Sequence, residues 1–132
     1  MNIVVDTSVI IAVITNEPHK KKMIEMTKEA DLIAPSSLHW EVGNAFSAMF
    51  KRKRITLAQS MKAIQAYKKI PIRFSDVELE TAIELAESLG IYAYDAYFLG
   101  CALKHKSALL SLDRGLLDAA EISGIKVSEV IL

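Results

Sequence analysis

The sequence predicts an α/β domain of three α/β/α layers, with a central, mainly parallel sheet of about four to five strands. Three observations lead there. Short apolar, β-branched runs alternate with longer segments of helical period, no Gly/Ser-rich linker or internal repeat breaks the alternation, and the 132 residues are 52% hydrophobic and 24% charged. The alternation is the mark of strand-helix-strand units. The length and balance suit one domain over residues 1–132, with no room for a second. With 5 glycines and 3 prolines, a collagenous, disordered or low-complexity chain is excluded.

Ile3 to Val5 reads as a first buried strand, and Leu32 to Ala34 as another that stops at Pro35. IPIRFS, around Arg73, makes a weak strand suited to an edge, Ala108 to Leu112 a strong one, and Ile125 to Val127 a last one after Gly124. Strands of a parallel sheet, covered on both faces, should be unbroken apolar runs like these. Helices are predicted between them over 8–14, 17–29, 37–53, 57–69, 76–89, 94–106 and 114–123. Asp76, before Glu78 and Leu79, is the expected N-cap of the fifth helix, and Gly90 after Leu89 its C-terminal stop. Val42, Ala45, Phe46 and Met49 fall on one core-facing stripe of the third.

The apolar N-terminal run has no basic lead-in, and Asp6 cuts it short of the roughly 18 residues a membrane span needs. A cytoplasmic protein with no membrane partner is the expectation. The single cysteine, Cys101, rules out an internal disulfide and sits in FLGCAL, where a small core residue is expected. Sixteen basic and sixteen acidic residues cancel, which excludes a strongly basic nucleic-acid binder. The distribution is uneven, however. Residues 1–73 hold 12 Lys and Arg against 6 Asp and Glu, and residues 74–132 hold 4 against 10. A polyanion should meet the first half, provided the fold keeps those charges together.

Four acids stand in apolar surroundings, where an unpaired carboxylate is costly to remove from water. Asp6 follows the first strand, Glu41 opens the third helix in LHWEVGNAF, Asp95 interrupts YAYDAYFLGCAL, and Asp113 ends ALLSLD. They are 35, 54 and 18 residues apart, so only the fold can join them. In an open parallel sheet, residues beyond the carboxyl ends of the strands gather at the switch point of strand order. Acids gathered there repel one another, and a divalent cation relieves the repulsion. Oxygen ligands select Mg2+ or Mn2+. Such a site suits phosphodiester hydrolysis with no protein nucleophile, in keeping with three histidines (His19, His39, His105) at no triad spacing. Taken singly, helix N-capping is the better account of Asp6, Asp95 or Asp113, and a first-turn role serving the helix dipole that of Glu41. It is the four together, bordering apolar runs at strand ends, that shift the reading towards a shared site.

In order along the chain, VVDTSVII, WEVGNAF, YAYDAYFLGCALKH and LLSLDRGL followed by GIKVSEV resemble the motifs of the PIN-domain ribonucleases, in particular the VapC-type toxins of toxin–antitoxin pairs. The resemblance spans essentially the full length. It implies a PIN fold and a metal-dependent endoribonuclease, with Asp6, Glu41, Asp95 and Asp113 as the acids that hold Mg2+ or Mn2+. Thr7 or Ser8 matches the hydroxyl that follows the first Asp in the family motif, where it supports the metal site or an ordered water. Asn44, one turn after Glu41, either lines the pocket or is an ordinary exposed residue. Many relatives carry another acid two or three residues after the fourth; here Asp113 is followed by Arg114 and Gly115, and the next acid is Asp118. That departure leaves a second metal position open.

Arg114 is a candidate phosphate contact, although a solvated arginine is commoner at that place. So is Arg52, in Lys51-Arg52-Lys53-Arg54, where a basic helix C-terminus is favoured by the dipole alone. His19-Lys20-Lys21-Lys22 is a second basic run. Trp40, Tyr92, Tyr94 and Tyr97 flank the acids and either stack on bases or, the better expectation for most of them, pack in the core. The family resemblance further implies a homodimer held inactive by a cognate antitoxin. Met23, Met26, Met49, Phe50 and Met61 are either partner surface or core. Other readings stay open at this level. A haloacid-dehalogenase-type phosphatase is disfavoured by Ser8, where a second Asp is needed. A Mg2+-binding receiver-like module should have an acid pair near the first strand, where Asp6 is alone. A non-catalytic PIN scaffold binding RNA or protein is kept open by the missing acid after Asp113.

Overall fold

The computed structural model describes residues 1–17 and 20–129. Twelve elements alternate among these residues: β1 (Asn2–Val5), α1 (Thr7–Ile14), α2 (Lys20–Thr27), β2 (Asp31–Pro35), α3 (Leu38–Lys51), α4 (Leu57–Lys68), β3 (Ile72–Ser75), α5 (Leu79–Leu89), α6 (Ala93–His105), β4 (Ala108–Ser111), α7 (Arg114–Ile122) and β5 (Val127–Glu129). The five strands pair in the order β3-β2-β1-β4-β5, all parallel. Order therefore reverses between β1 and β4, with Val5 level with Leu110.

Ile3, Val4 and Val5 are all buried. Successive strand residues point to opposite faces, so both faces of β1 are covered and the domain has three layers. Ile33, Leu109 and Leu110 continue the core through β2 and β4. β3, the strand read as weak, is an edge and leaves Phe74 half-exposed. Of the α3 stripe, Val42 and Phe46 are buried and Ala45 and Met49 half-buried. Gly100 lets α6 approach the chain before α5: a Cβ there would stand 2.7 Å from Val77 Cγ1.

The N-cap expected at Asp76 is corrected. Helix α5 starts at Leu79 after Glu78, which makes no side-chain cap bond. Asp76 instead ties the β3–α5 turn to its neighbours, its carboxylate accepting from Ser36 Oγ at 3.2 Å and its carbonyl from Lys104 Nζ at 2.7 Å. The last strand starts two residues late. Gly124, at φ 80°, and Ile125 finish α7, with Gly124 N–H donating to the Glu121 carbonyl and Ile125 N–H to that of Ala120. The second helix is shorter than predicted, and His19 of its basic run lies outside the described residues. Charge segregation is only partial, because α6, from the acidic half, packs on β1 and β2 from the basic half. Among the described residues no helix is long and apolar enough to cross a membrane.

Candidate active site

Asp6 lies immediately beyond β1, and Asp113 two residues beyond β4, at the carboxyl edge of the two strands where order reverses. Asp6 is only 5% exposed. Its Oδ1 accepts from Ser8 Oγ at 2.6 Å and from the backbone N–H of Val9 at 3.2 Å, and its Oδ2 accepts from Ser111 Oγ at 2.5 Å. Asp6 is thus the N-cap of α1, and its second oxygen is clasped by the last residue of β4. The strand register makes that clasp, since the Asp6 N–H also donates to the Leu110 carbonyl. Ser8 and Ser111 in turn accept from the N–H groups of Leu112 and Asp113, at 3.0 and 2.9 Å. The two strand ends form one hydrogen-bonded unit.

Asp113 caps α7, its Oδ1 accepting from Leu116 N–H at 3.3 Å. Gly115 leaves that oxygen room, because a Cβ there would sit 3.3 Å from it. Asp95 is not a cap: Tyr92 holds that position and Asp95 lies in the first turn of α6. Capping therefore accounts for two of the acids and leaves Asp95 and Glu41 without that role.

The four carboxyls sense one another in a closed ring. Burial raises Asp6 above the ordinary carboxylate range against the pull of its three donors, with the Asp113 charge adding to the rise. Burial raises Glu41 to about 7, aided by the charges of Asp95 and Asp6. Asp95 is raised by burial and by Asp113. The Thr7 and Ser37 hydroxyls lie close enough to Glu41 to hold it down in part. None of these three groups reaches hydrogen-bonding geometry, and Thr7 Oγ1, Ser37 Oγ and Glu41 Oε2 are buried with no hydrogen-bond partner among the described residues. Orphaned buried oxygens carry a free-energy penalty that a bound cation or water would remove. Their chemistry, hard oxygen donors of net negative charge, fits a divalent cation. Among the described residues no three Asp, Glu, His or Cys side chains are already drawn into a chelate.

The remaining candidates are more scattered. Ser8 supports Asp6, while Thr7 faces Glu41. Asn44 is exposed on α3. Arg114 lies along its own helix, paired with Asp118 at 2.9 Å and Glu121 at 3.4 Å; Asp118 is thereby engaged away from Asp113. Arg52 is the C-cap of α3, eleven residues and about 16 Å along the helix from Glu41, and does not join the acids. The expectation that most flanking aromatics are core is corrected, since Trp40 is 69%, Tyr92 86% and Tyr94 54% exposed. They sit at the starts of α3 and α6, beyond the sheet edge. Ser111 and Ser37 were missed by sequence reasoning. The signal for Ser111 was a hydroxyl inside the apolar run ALLSL.

The fold is similar to solved structures of low sequence identity. PAE2754 from Pyrobaculum aerophilum is 20% identical with a TM-score of 0.75, over 98% of this chain and 92% of that one. VapBC2 from Rickettsia felis, bound to a DNA fragment from their promoter, is 14% identical with a TM-score of 0.72, over 98% of both. VapC20 from Mycobacterium tuberculosis, a sarcin-ricin loop cleaving toxin, is 16% identical with a TM-score of 0.63, over 89% of this chain and 94% of that one. No curated protein sequence matches the chain. The model of the PIN domain matches residues 3–122, and the chain therefore belongs to the PIN domain family.

Proposed function

We propose that this protein is a divalent-metal-dependent endoribonuclease and the toxin of a toxin–antitoxin pair. The observation that carries the reading is the closed ring of Asp6, Glu41, Asp95 and Asp113 at the switch point of the sheet. Four carboxylates repel a phosphodiester, so the site can meet RNA only when a cation offsets their charge. Asp6, Glu41, Asp95 and Asp113 would hold Mg2+ or Mn2+, with Thr7 beside Glu41. When bound, such an ion lowers the pKa of water and neutralises charge on the phosphate and the leaving oxygen. The protein's own part is positional. Ser8, Ser111 and the Val9 N–H hold Asp6 in one orientation, and the Leu116 N–H holds Asp113.

Cleavage of a single-stranded RNA by the purified protein with Mg2+ or Mn2+, with EDTA, and by Asp95→Asn tests the reading. Cleavage that needs both metal and Asp95 supports it; cleavage unaffected by either removes it. A non-catalytic scaffold is the second reading, favoured by the lack of a preformed chelate among the described residues. Absence of metal binding in calorimetry would establish it over the first. The receiver-like alternative falls on strand order, since that class has 2-1-3-4-5. An antitoxin and a second copy are the proposed protein partners, and the cytoplasm the proposed location. Phe50 and Met61 are exposed near a cleft of about 410 Å3 lined by Val13, Met49 and Ala63, which offers apolar surface for such contacts; Met23 is core. Light scattering of the free protein reads the oligomeric state.

A further inference from the structure

Trp40 precedes Glu41 and Tyr94 precedes Asp95, so two exposed aromatic rings each stand one residue from a carboxylate of the site. Large apolar ring faces left in water at a crevice rim need a reason. Both are steadied by a neighbouring ring, His39 against Trp40 at 5.6 Å and 89°, and Tyr97 against Tyr94 at 6.1 Å and 74°. His39 is itself tied through Nδ1 to the Tyr67 hydroxyl at 3.0 Å. A ligand therefore meets rings that are already placed. Trp40, Tyr94 and Tyr97 line one cleft of about 430 Å3, together with Ser36, Ser37 and Asp76.

We infer that this cleft is a base-binding subsite, taking one unpaired nucleobase of the RNA next to the scissile phosphate, stacked on Trp40 and Tyr94 and read at its edge by Asp76. The inference rests on the nuclease reading above and names what positions its substrate. Stacking on aromatic rings is how unpaired bases are held. The lining favours a base over a phosphate: no Lys or Arg is among the described residues lining the cleft, Asp76 brings a carboxylate, and the nearby Lys104 ammonium is engaged by the Asp76 carbonyl at 2.7 Å. Ser36 already donates to that carboxylate. A carboxylate acceptor suits the amino groups of adenine, cytosine and guanine. Uracil flanks its single N–H with two carbonyl oxygens, so amino-bearing bases are preferred to it.

Trp40 is the single tryptophan of the chain, so intrinsic fluorescence reports on the cleft directly. The experiment titrates the full-length Asp95→Asn variant, with Mg2+, with hexa-adenylate, hexa-uridylate and an abasic ribose-phosphate hexamer. Cleavage of single-stranded RNA by the wild type is assayed in parallel. Hexa-adenylate should quench Trp40 and bind about 10- to 100-fold tighter than the abasic strand, with hexa-uridylate between them. By anisotropy, Trp40→Ala should lose that margin and Trp40→Phe keep most of it, while both bind Mn2+ as the wild type does. Equal binding of the abasic strand, or cleavage with no quenching, overturns the subsite and leaves the nuclease reading intact. Quenching without cleavage retains the cleft as a base-binding site, and removes the nuclease reading together with the placement beside a scissile phosphate. Neither effect overturns both. A blue shift of Trp40 emission that grows with protein concentration and blocks quenching assigns the face to a protein contact and overturns the subsite.

Discussion

Ser111 Oγ donates to Asp6 Oδ2 at 2.5 Å across 105 residues of sequence, joining the ends of the two strands between which sheet order reverses. Both residues are buried, so the contact is a clasp between strand ends and the anchor of the acidic ring. Ser111→Ala leaves the Asp6 carboxylate short of one donor and should cost about 1–3 kcal/mol at neutral pH. Cleavage should fall at least about tenfold as Asp6 loses its fixed orientation. Chemical denaturation and the RNA assay check both; wild-type stability would show that the clasp carries no energy.

Asp95 caps nothing, whereas Asp6 and Asp113 each cap a helix. Asp95→Asn should therefore keep the cation-free melting temperature at or above wild type, because one like charge leaves the ring, and should reduce cleavage by at least about 100-fold. Asp113→Asn retains a capping side chain, while Asp113→Ala should cost a further 0.5–2 kcal/mol or so. Thermal melts of the three variants in EDTA separate ligand loss from cap loss.

Burial, reinforced by mutual repulsion, raises Asp6, Glu41 and Asp95, Glu41 from 4.5 to about 7. An acid whose folded pKa exceeds its unfolded value binds more protons folded than unfolded between the two, so stability falls as pH rises through that interval. In EDTA the protein should melt a few degrees lower at pH 8 than at pH 5. Mg2+ or Mn2+ should raise the melting temperature at pH 8 and have little effect at pH 5. A melting temperature in EDTA that rises from pH 5 to pH 8 would contradict the ring.

Cys101 is buried, and burial pushes its thiol up to about 11 against the opposing pull of Lys104 and Arg73. A thiol held neutral is a poor nucleophile. A chromogenic disulfide reagent at pH 8 should leave the native protein unmodified over hours and titrate one thiol in denaturant; rapid native reaction would place Cys101 at the surface.

Lys106 ends α6 in the left-handed region, at φ 50°, with Ser107 N–H closing back on the Ala102 carbonyl. A glycine there escapes the Cβ clash that lysine suffers. Lys106→Gly should stabilise the fold by about 0.5–1 kcal/mol with no change in cleavage, read by denaturant midpoint and the RNA assay.

Legibility tracked how local the cause was. Ile3 to Val5 and Ala108 to Leu112 were readable as strands because a strand buried on both faces has no polar side, the second ending one residue earlier, at Ser111. Gly90, the end of α5, was readable from glycine's freedom at φ 65°. Asp76 was misread because its partners, Ser36 and Lys104, lie 40 and 28 residues away, and capping was the only role visible nearby. Tyr92 and Tyr94 were misread because each stands four residues before a buried residue of α6, Ala96 and Phe98, so their spacing continues its buried face. Trp40 falls on the exposed face of α3 with Gly43, Asn44 and Ser47, which its spacing from Val42 and Phe46 already indicates.

By itself the sequence determined the alternation of strands and helices, the parallel character of the sheet and the four acids stranded in apolar surroundings, because hydrophobic period and the cost of burying charge act through near neighbours. Only the tertiary structure decided that order reverses between β1 and β4, that Ser111 clasps Asp6, and that the charges of Asp6, Glu41, Asp95 and Asp113 act on one another. Those relations depend on strand pairing between segments far apart in the chain, and a charge acts on another through the distance between them in space.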